Sequence, residues 1–150
     1  NFQCLWCYPD PYIDFAIELV GENRVEQFYP VRNVLEAGGL LVGGSDWNVT
    51  SLNPLEAIET AILRQSPYLD SGPTLGLDQA IDLRTALDMY TVNGAYVMRL
   101  EEKTGSIEVG KRADLIVLDR NLFSIPEVEI SEAKVLLTLM DGIEVFRMMN

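Results

Sequence analysis

The sequence has 150 residues, about one domain's worth, and 48% of them are hydrophobic, so a sizeable core can be buried. Its formal net charge of −12 excludes the basic face that binding to nucleic-acid phosphates requires. The longest apolar runs, Val135 to Met140 and Leu115 to Leu118, are strand-sized, and no run is long enough to span a bilayer.

Two further counts restrict the chemistry. Histidine is absent, so the chain by itself supplies neither the commonest metal ligand nor the commonest general base. Cys4 and Cys7 are the only cysteines, too few for a disulfide framework. No signal-peptide pattern is present. The chain opens on Asn1 without a methionine, inside a stretch that reads as strand, and so reads as the tail of something longer. Its compartment stays open, with a slight preference for the cytoplasm.

Asn1 to Tyr8 carries Phe2, Leu5, Trp6 and Tyr8 before the Pro9-Asp10-Pro11 break, the pattern of a short strand and turn. Tyr12 to Val20 reads as helix, ended by Gly21-Glu22-Asn23. After Phe28-Tyr29-Pro30 a second helix follows, with Val31, Val34, Leu35 and Ala37 on one face up to Gly38-Gly39. Leu40 to Gly44 is a strand-length apolar run that stops at two glycines. Asn53-Pro54-Leu55-Glu56 is a helix start with cap, first-turn proline and capping-box acid, and Leu55, Ile58, Ile62 and Leu63 form its buried face. Gln65 to Ala80 reads as loop. Asp82 caps a helix bearing Leu83, Ala86, Leu87 and Tyr90, and Thr91 caps a short one with Ala95, Tyr96 and Met98. The resulting helix-turn-helix shape is read as packing, given the charge.

Beyond Gly105 the character turns to β. Ser106 to Gly110 alternates, Asp114 to Asp119 is a strand with core Leu115 to Leu118, and Val135 to Phe146 is a hairpin turning at Asp141-Gly142.

The candidate site is Gly43-Gly44-Ser45-Asp46-Trp47. An acid at a glycine-rich strand end leading to a helix is either an Asx-turn or a ligand-facing group. Position alone favours the turn. Asn48-Val49-Thr50 fits a glycosylation sequon but is set aside because it adjoins this site.

Gly44-Ser45-Asp46-Trp47 followed by Ser51-Leu52-Asn53-Pro54-Leu55 resembles the amidohydrolase superfamily, in particular amidohydrolase family 3. The same family is matched in order by Phe2-Gln3, Leu5-Trp6, Tyr8-Pro9-Asp10, Tyr29-Pro30-Val31-Arg32 and Tyr90-Thr91-Val92-Asn93-Gly94-Ala95-Tyr96. Thr104-Gly105-Ser106-Ile107-Glu108-Val109-Gly110-Lys111-Arg112-Ala113-Asp114-Leu115-Ile116-Val117-Leu118-Asp119 is the most specific stretch.

The resemblance implies an α/β fold: the C-terminal part of a (β/α)8 TIM barrel and part of a small β-sandwich composite domain. Residues 1–103 belong to the barrel on this reading, with residues 1–8 about its seventh strand and 40–46 its eighth. Residues 104–150 are a β-rich segment of the sandwich. It further implies a metal-dependent hydrolase of non-peptide C–N bonds, with Asp46 as metal ligand and general base. The cofactor is a divalent metal, zinc first, whose remaining ligands lie outside this chain. The partners are a small amide-like substrate and the rest of the parent chain or a complementary chain, with no nucleic acid and no membrane. One carboxylate does not make a catalytic metal site, and two strands do not close a barrel, so the chain alone is expected to be inactive.

Trp6 and Trp47 could wall a substrate pocket or simply pack. Arg32, typical of the family, could bind a carboxylate or tie a loop, and the tie is preferred. Cys4 and Cys7 have C-x-x-C spacing, but in a strand they face opposite sides, and Cys4 replaces the family's usual proline, so they read as local variation. The rival is a non-catalytic regulatory or assembly module that keeps the amidohydrolase fold.

Overall fold

The computed structural model describes residues 1–149. Its core is built around α4 (Pro54–Leu63), whose start follows from the local sequence. Asn53 Oδ1 accepts from Leu55 N at 3.1 Å, and Pro54 occupies a first-turn position where no N–H is needed. Glu56 departs from the capping-box expectation: it receives the Asn53 side-chain amide at 3.2 Å rather than a backbone N–H.

The buried residues of α4 are Leu55 and then every position from Ala57 to Ile62, the polar Glu59 and Thr60 included. A one-sided face was expected. The difference arises because α4 is enclosed by the turn Cys4–Trp6, by α5 (Leu83–Tyr90) and by the turn Glu127–Glu129. Thr60 satisfies its hydroxyl on Glu56 O at 2.8 Å. Ile58 is 2% exposed, and truncating a side chain so enclosed to alanine costs about 2–5 kcal/mol.

The other helices are α1 (Pro11–Val20), α2 (Glu22–Val25), α3 (Val31–Glu36) and α6 (Val92–Val97). Asp10 Oδ1 caps α1 through Ile13 N at 2.8 Å, and Asp82 Oδ1 caps α5 through Thr85 N at the same distance. Gly21, at φ 86, ends α1 as expected, but the chain resumes helix at once as α2. Thr91 is not the side-chain cap expected for α6. Its hydroxyl bonds back to Leu87 O at 2.8 Å, the competing i−4 arrangement open to threonine.

The β-rich end is a three-stranded antiparallel sheet in the order β1 (Leu115–Leu118), β2 (Val135–Met140), β3 (Ile143–Arg147). Asp141 and Gly142 turn the β2–β3 hairpin at φ 54 and 78, the double left-handed turn that Asp-Gly favours. Residues 106–110 are not strand, and Ile107 and Val109 are exposed. Ile116 and Val117, expected in the core, are about half exposed, and all five residues of β3 are exposed. Among the described residues of the three strands only Leu118 packs against the main buried cluster, so most of the sheet's alternation has little to bury against.

The two segments read as barrel strands meet in one parallel bridge, Phe2 with Gly43. Phe2 N donates to Val42 O at 2.8 Å and Gly44 N to Phe2 O at 3.1 Å. Neither segment extends into a strand. After Phe2 the chain tightens into a 3-10 turn at Cys4–Trp6, and Gly43 N is taken up by Met89 O of α5 at 3.1 Å rather than by a second strand.

Candidate functional site

Asp46 stands just beyond that bridge, exposed, in a turn where its own φ is 51. Aspartate and asparagine are the non-glycine residues that accept such backbone most readily. The turn is closed by Val49 N donating to Asp46 O at 2.8 Å and by the Thr50 hydroxyl donating to Ser45 O. Among the described residues the Asp46 carboxylate makes no hydrogen bond or ion pair, so the Asx-turn favoured by position is not its role.

Gly43 is required for a different reason. A Cβ there would overlap the ring of Tyr90, which lies directly against the backbone. Among the described residues the buried Tyr90 hydroxyl has no partner, and burial pushes the phenol well above its ordinary value.

A cavity of about 440 Å³ opens beside the Asp46 turn. Trp6, Tyr12, Phe28 and Tyr29 line it, together with Val49 and Thr50 from the turn itself. Phe28 and Tyr29 meet edge to face, with ring centroids 6.2 Å apart. The Trp6 indole Nε1–H is buried without a partner among the described residues, an orphaned donor on a cavity-lining side chain.

The sequence candidates therefore separate. Trp6 lines the cavity. Trp47 is 65% exposed and is not among the lining residues. Arg32 is a tie, as preferred: Nε donates to Ala80 O at 2.8 Å, and a second guanidinium N–H reaches the same oxygen.

Two features escape a reading of the sequence. Arg64 is fully buried and donates to Leu75 O at 2.7 Å, Phe28 O at 3.1 Å and Tyr29 O at 3.3 Å. It thereby holds the cavity wall, including Tyr29 at a left-handed φ of 56. An arginine after the last turn of a helix is ordinarily solvated, and no local pattern marks this one as buried. The second feature is the cysteine pair: a 3-10 turn replaces the expected strand, and residues i and i+3 of such a turn eclipse, so Cys4 and Cys7 share a side.

Among the described residues no group of three or more His, Cys, Asp and Glu is placed to hold a metal ion. Asp46 offers an exposed carboxylate with no hydrogen bond or ion pair among the described residues, so it suits a metal only as one oxygen donor of a larger set.

Comparison with known proteins places these features in a family. The sequence model described as "Amidohydrolase family" matches residues 3–146. The chain is 38% identical over 124 residues to an N-substituted formamide deformylase of Arthrobacter pascens, covering 82% of this chain and 22% of that protein. It is 32% identical over 144 residues to Protein LONG AFTER FAR-RED 3 of Arabidopsis thaliana, covering 92% of this chain and 24% of that one. The crystal structure of an amidohydrolase from Thermotoga maritima MSB8 superposes with a TM-score of 0.60 at 27% identity, over 79% of this chain and 26% of its own. The chain thus spans about a quarter of the length of the proteins it matches. Its mixed α/β fold with a small antiparallel sheet agrees with an amidohydrolase fragment, and a match running over nearly every described residue makes the chain a member of the amidohydrolase family.

Proposed function

We propose that the chain is the C-terminal part of a metal-dependent hydrolase that cleaves a C–N bond other than a peptide bond in a small amide-like substrate. The observation that carries this reading is the family match over residues 3–146, within which Asp46 presents an exposed and unengaged carboxylate. The deformylase relative supports the C–N bond class. On this reading residues 1–103 complete a (β/α)8 barrel, with residues 1–8 and 40–46 as its seventh and eighth strands, and residues 104–150 join a composite β domain. The parallel bridge between Phe2 and Gly43 supports adjacent, parallel placement of those two segments.

Asp46 is one ligand of a divalent ion, zinc first, and the remaining ligands come from outside this chain. Such an ion, when bound, would supply the Lewis acidity that makes water a nucleophile near neutral pH. The Asp46 carboxylate takes the proton of the attacking water and passes it to the leaving nitrogen. Trp6 contributes an apolar wall to the cavity. Trp47, exposed and next to Asp46 in the chain, is the second aromatic proposed for the substrate once the rest of the protein is present. Arg32 fixes the loop that carries Ala80 and is assigned no direct substrate contact.

The test is Asp46→Asn in the full-length protein, assayed on N-substituted formamides with metal content measured in parallel. Turnover is expected to fall by about 10²–10⁴-fold or more while the unfolding midpoint holds. Retained turnover removes Asp46 from the mechanism. An inactive wild type carrying no metal supports the rival, a scaffold that keeps the fold without the reaction.

A further inference from the structure

Cys4 and Cys7 take no part in the proposed hydrolysis, yet their arrangement is specific. Cys7 N donates to Cys4 O at 3.0 Å, closing a single 3-10 turn. Three residues at about 2.0 Å of rise each place the two Cα atoms about 6 Å apart on one side of the turn, within the span a disulfide bridges. Both residues are fully buried, and the ionisation of each thiol is set first by the other. The charge of the buried Arg64 acts on both thiols. Among the described residues Arg64 has no carboxylate at ion-pair distance, and its other partners are neutral carbonyls. A buried cation without an acid favours an anionic neighbour.

The geometry points to Cys4 and Cys7 as a dithiol that a hydroperoxide oxidises to an intramolecular disulfide across the Cys4–Trp6 turn. The two sulfurs are unequal. Cys4 and the charge of Arg64 lower the Cys7 thiol, while Cys4, paired with Cys7 and buried, is raised. Cys7 is therefore the attacking thiolate. Its sulfur attacks one peroxide oxygen, the O–O bond breaks, and hydroxide leaves, giving the Cys7 sulfenic acid. The Cys4 thiol then gives up its proton as its sulfur attacks the Cys7 sulfur. The S–O bond breaks, the S–S bond forms, and the departing oxygen leaves as water. Two electrons pass from the cysteines to the peroxide. Complete burial selects a water-sized oxidant over a bulky disulfide such as oxidised glutathione. Trp6 lies between the two cysteines, so the crosslink fixes the turn that presents Trp6 to the cavity.

The test treats the full-length protein with hydrogen peroxide, blocks remaining thiols with iodoacetamide in denaturant and weighs the tryptic peptide carrying Asn1–Arg24. That segment holds both cysteines and no methionine. The expected peptide is lighter by two hydrogens than the reduced form, takes no alkyl group, and becomes doubly alkylated if reduced with dithiothreitol first. Two alkylated thiols after peroxide, or added oxygen on one cysteine without a crosslink, overturns the proposal. In Cys4→Ser the Cys7 sulfenic acid should be trapped by dimedone, and in Cys7→Ser the remaining thiol should react at least about tenfold more slowly. Equal rates overturn the assignment of Cys7 as the attacking sulfur. The wild-type mass reading stands whether or not either variant folds.

Discussion

Ser131 N donates to Glu59 Oε2 at 2.7 Å across 72 residues of chain, joining the central helix α4 to the segment that leads into β2. Glu59 is 2% exposed, and burial raises its carboxyl above the ordinary value of 4.5, a rise that the Ser131 hydrogen bonds oppose. The sign of the linkage follows. A carboxyl whose folded pKa is raised holds its proton more tightly when folded, so its stabilising contribution is complete below the ordinary value. That contribution is lost as pH rises through the folded one.

Glu59→Gln keeps an oxygen for Ser131 N and removes the charge. Relative to wild type, the variant should gain stability as pH is raised from about 4 to 8. The gain is about 1.4 kcal/mol for every tenfold by which folding tightens the carboxyl's hold on its proton. Denaturant unfolding of both proteins across that range checks this. A stability difference that does not change with pH contradicts it.

Gly43→Ala should destabilise the protein by about 1–3 kcal/mol, because the new methyl overlaps the Tyr90 ring. Tyr90→Phe alone should be neutral or slightly stabilising, since it removes a buried hydroxyl that has no partner among the described residues. Adding Tyr90→Ala to Gly43→Ala should relieve the overlap. The two changes would then combine to less than their sum by about 0.5–3 kcal/mol in a double-mutant cycle of unfolding free energies. Strict additivity would place the ring elsewhere.

Arg32→Lys keeps the charge and loses the fork onto Ala80 O. It should lower stability by about 0.5–1.5 kcal/mol and leave KM for the full-length protein unchanged. A raised KM with unaltered unfolding would make Arg32 a direct substrate contact instead.

The helix starts at Asn53-Pro54 and Asp82 and the Asp141-Gly142 turn are legible because each is decided by residues within four positions of one another. What depends on distant partners is not. Leu40 to Gly44 has a strand's composition, but a strand needs a partner paired along its length, and here Gly43 finds a single bridge to Phe2 on one side and the end of α5 on the other. Ile116 and Val117 are apolar enough for a core, yet burial is set by an opposing layer, which the local sequence does not describe. The cysteine pair follows the same rule: a strand would put the thiols on opposite faces, and the change to a 3-10 turn brings them together. Of the site, the position of Asp46 is readable from Gly43-Gly44, and Trp6 is readable as an aromatic near it. The burial of Arg64 is not, since three carbonyls from residues 28, 29 and 75 create it.

The φ of 51 at Asp46 favours glycine, asparagine and aspartate, the three residues that take up such backbone at least cost. Only one of the three bears a charge. On the proposed mechanism, the backbone and the chemistry act as two independent filters that converge on the same side chain. Asparagine passes the first filter and fails the second, whereas glutamate does the reverse, so the pair of substitutions separates conformation from charge at a single position.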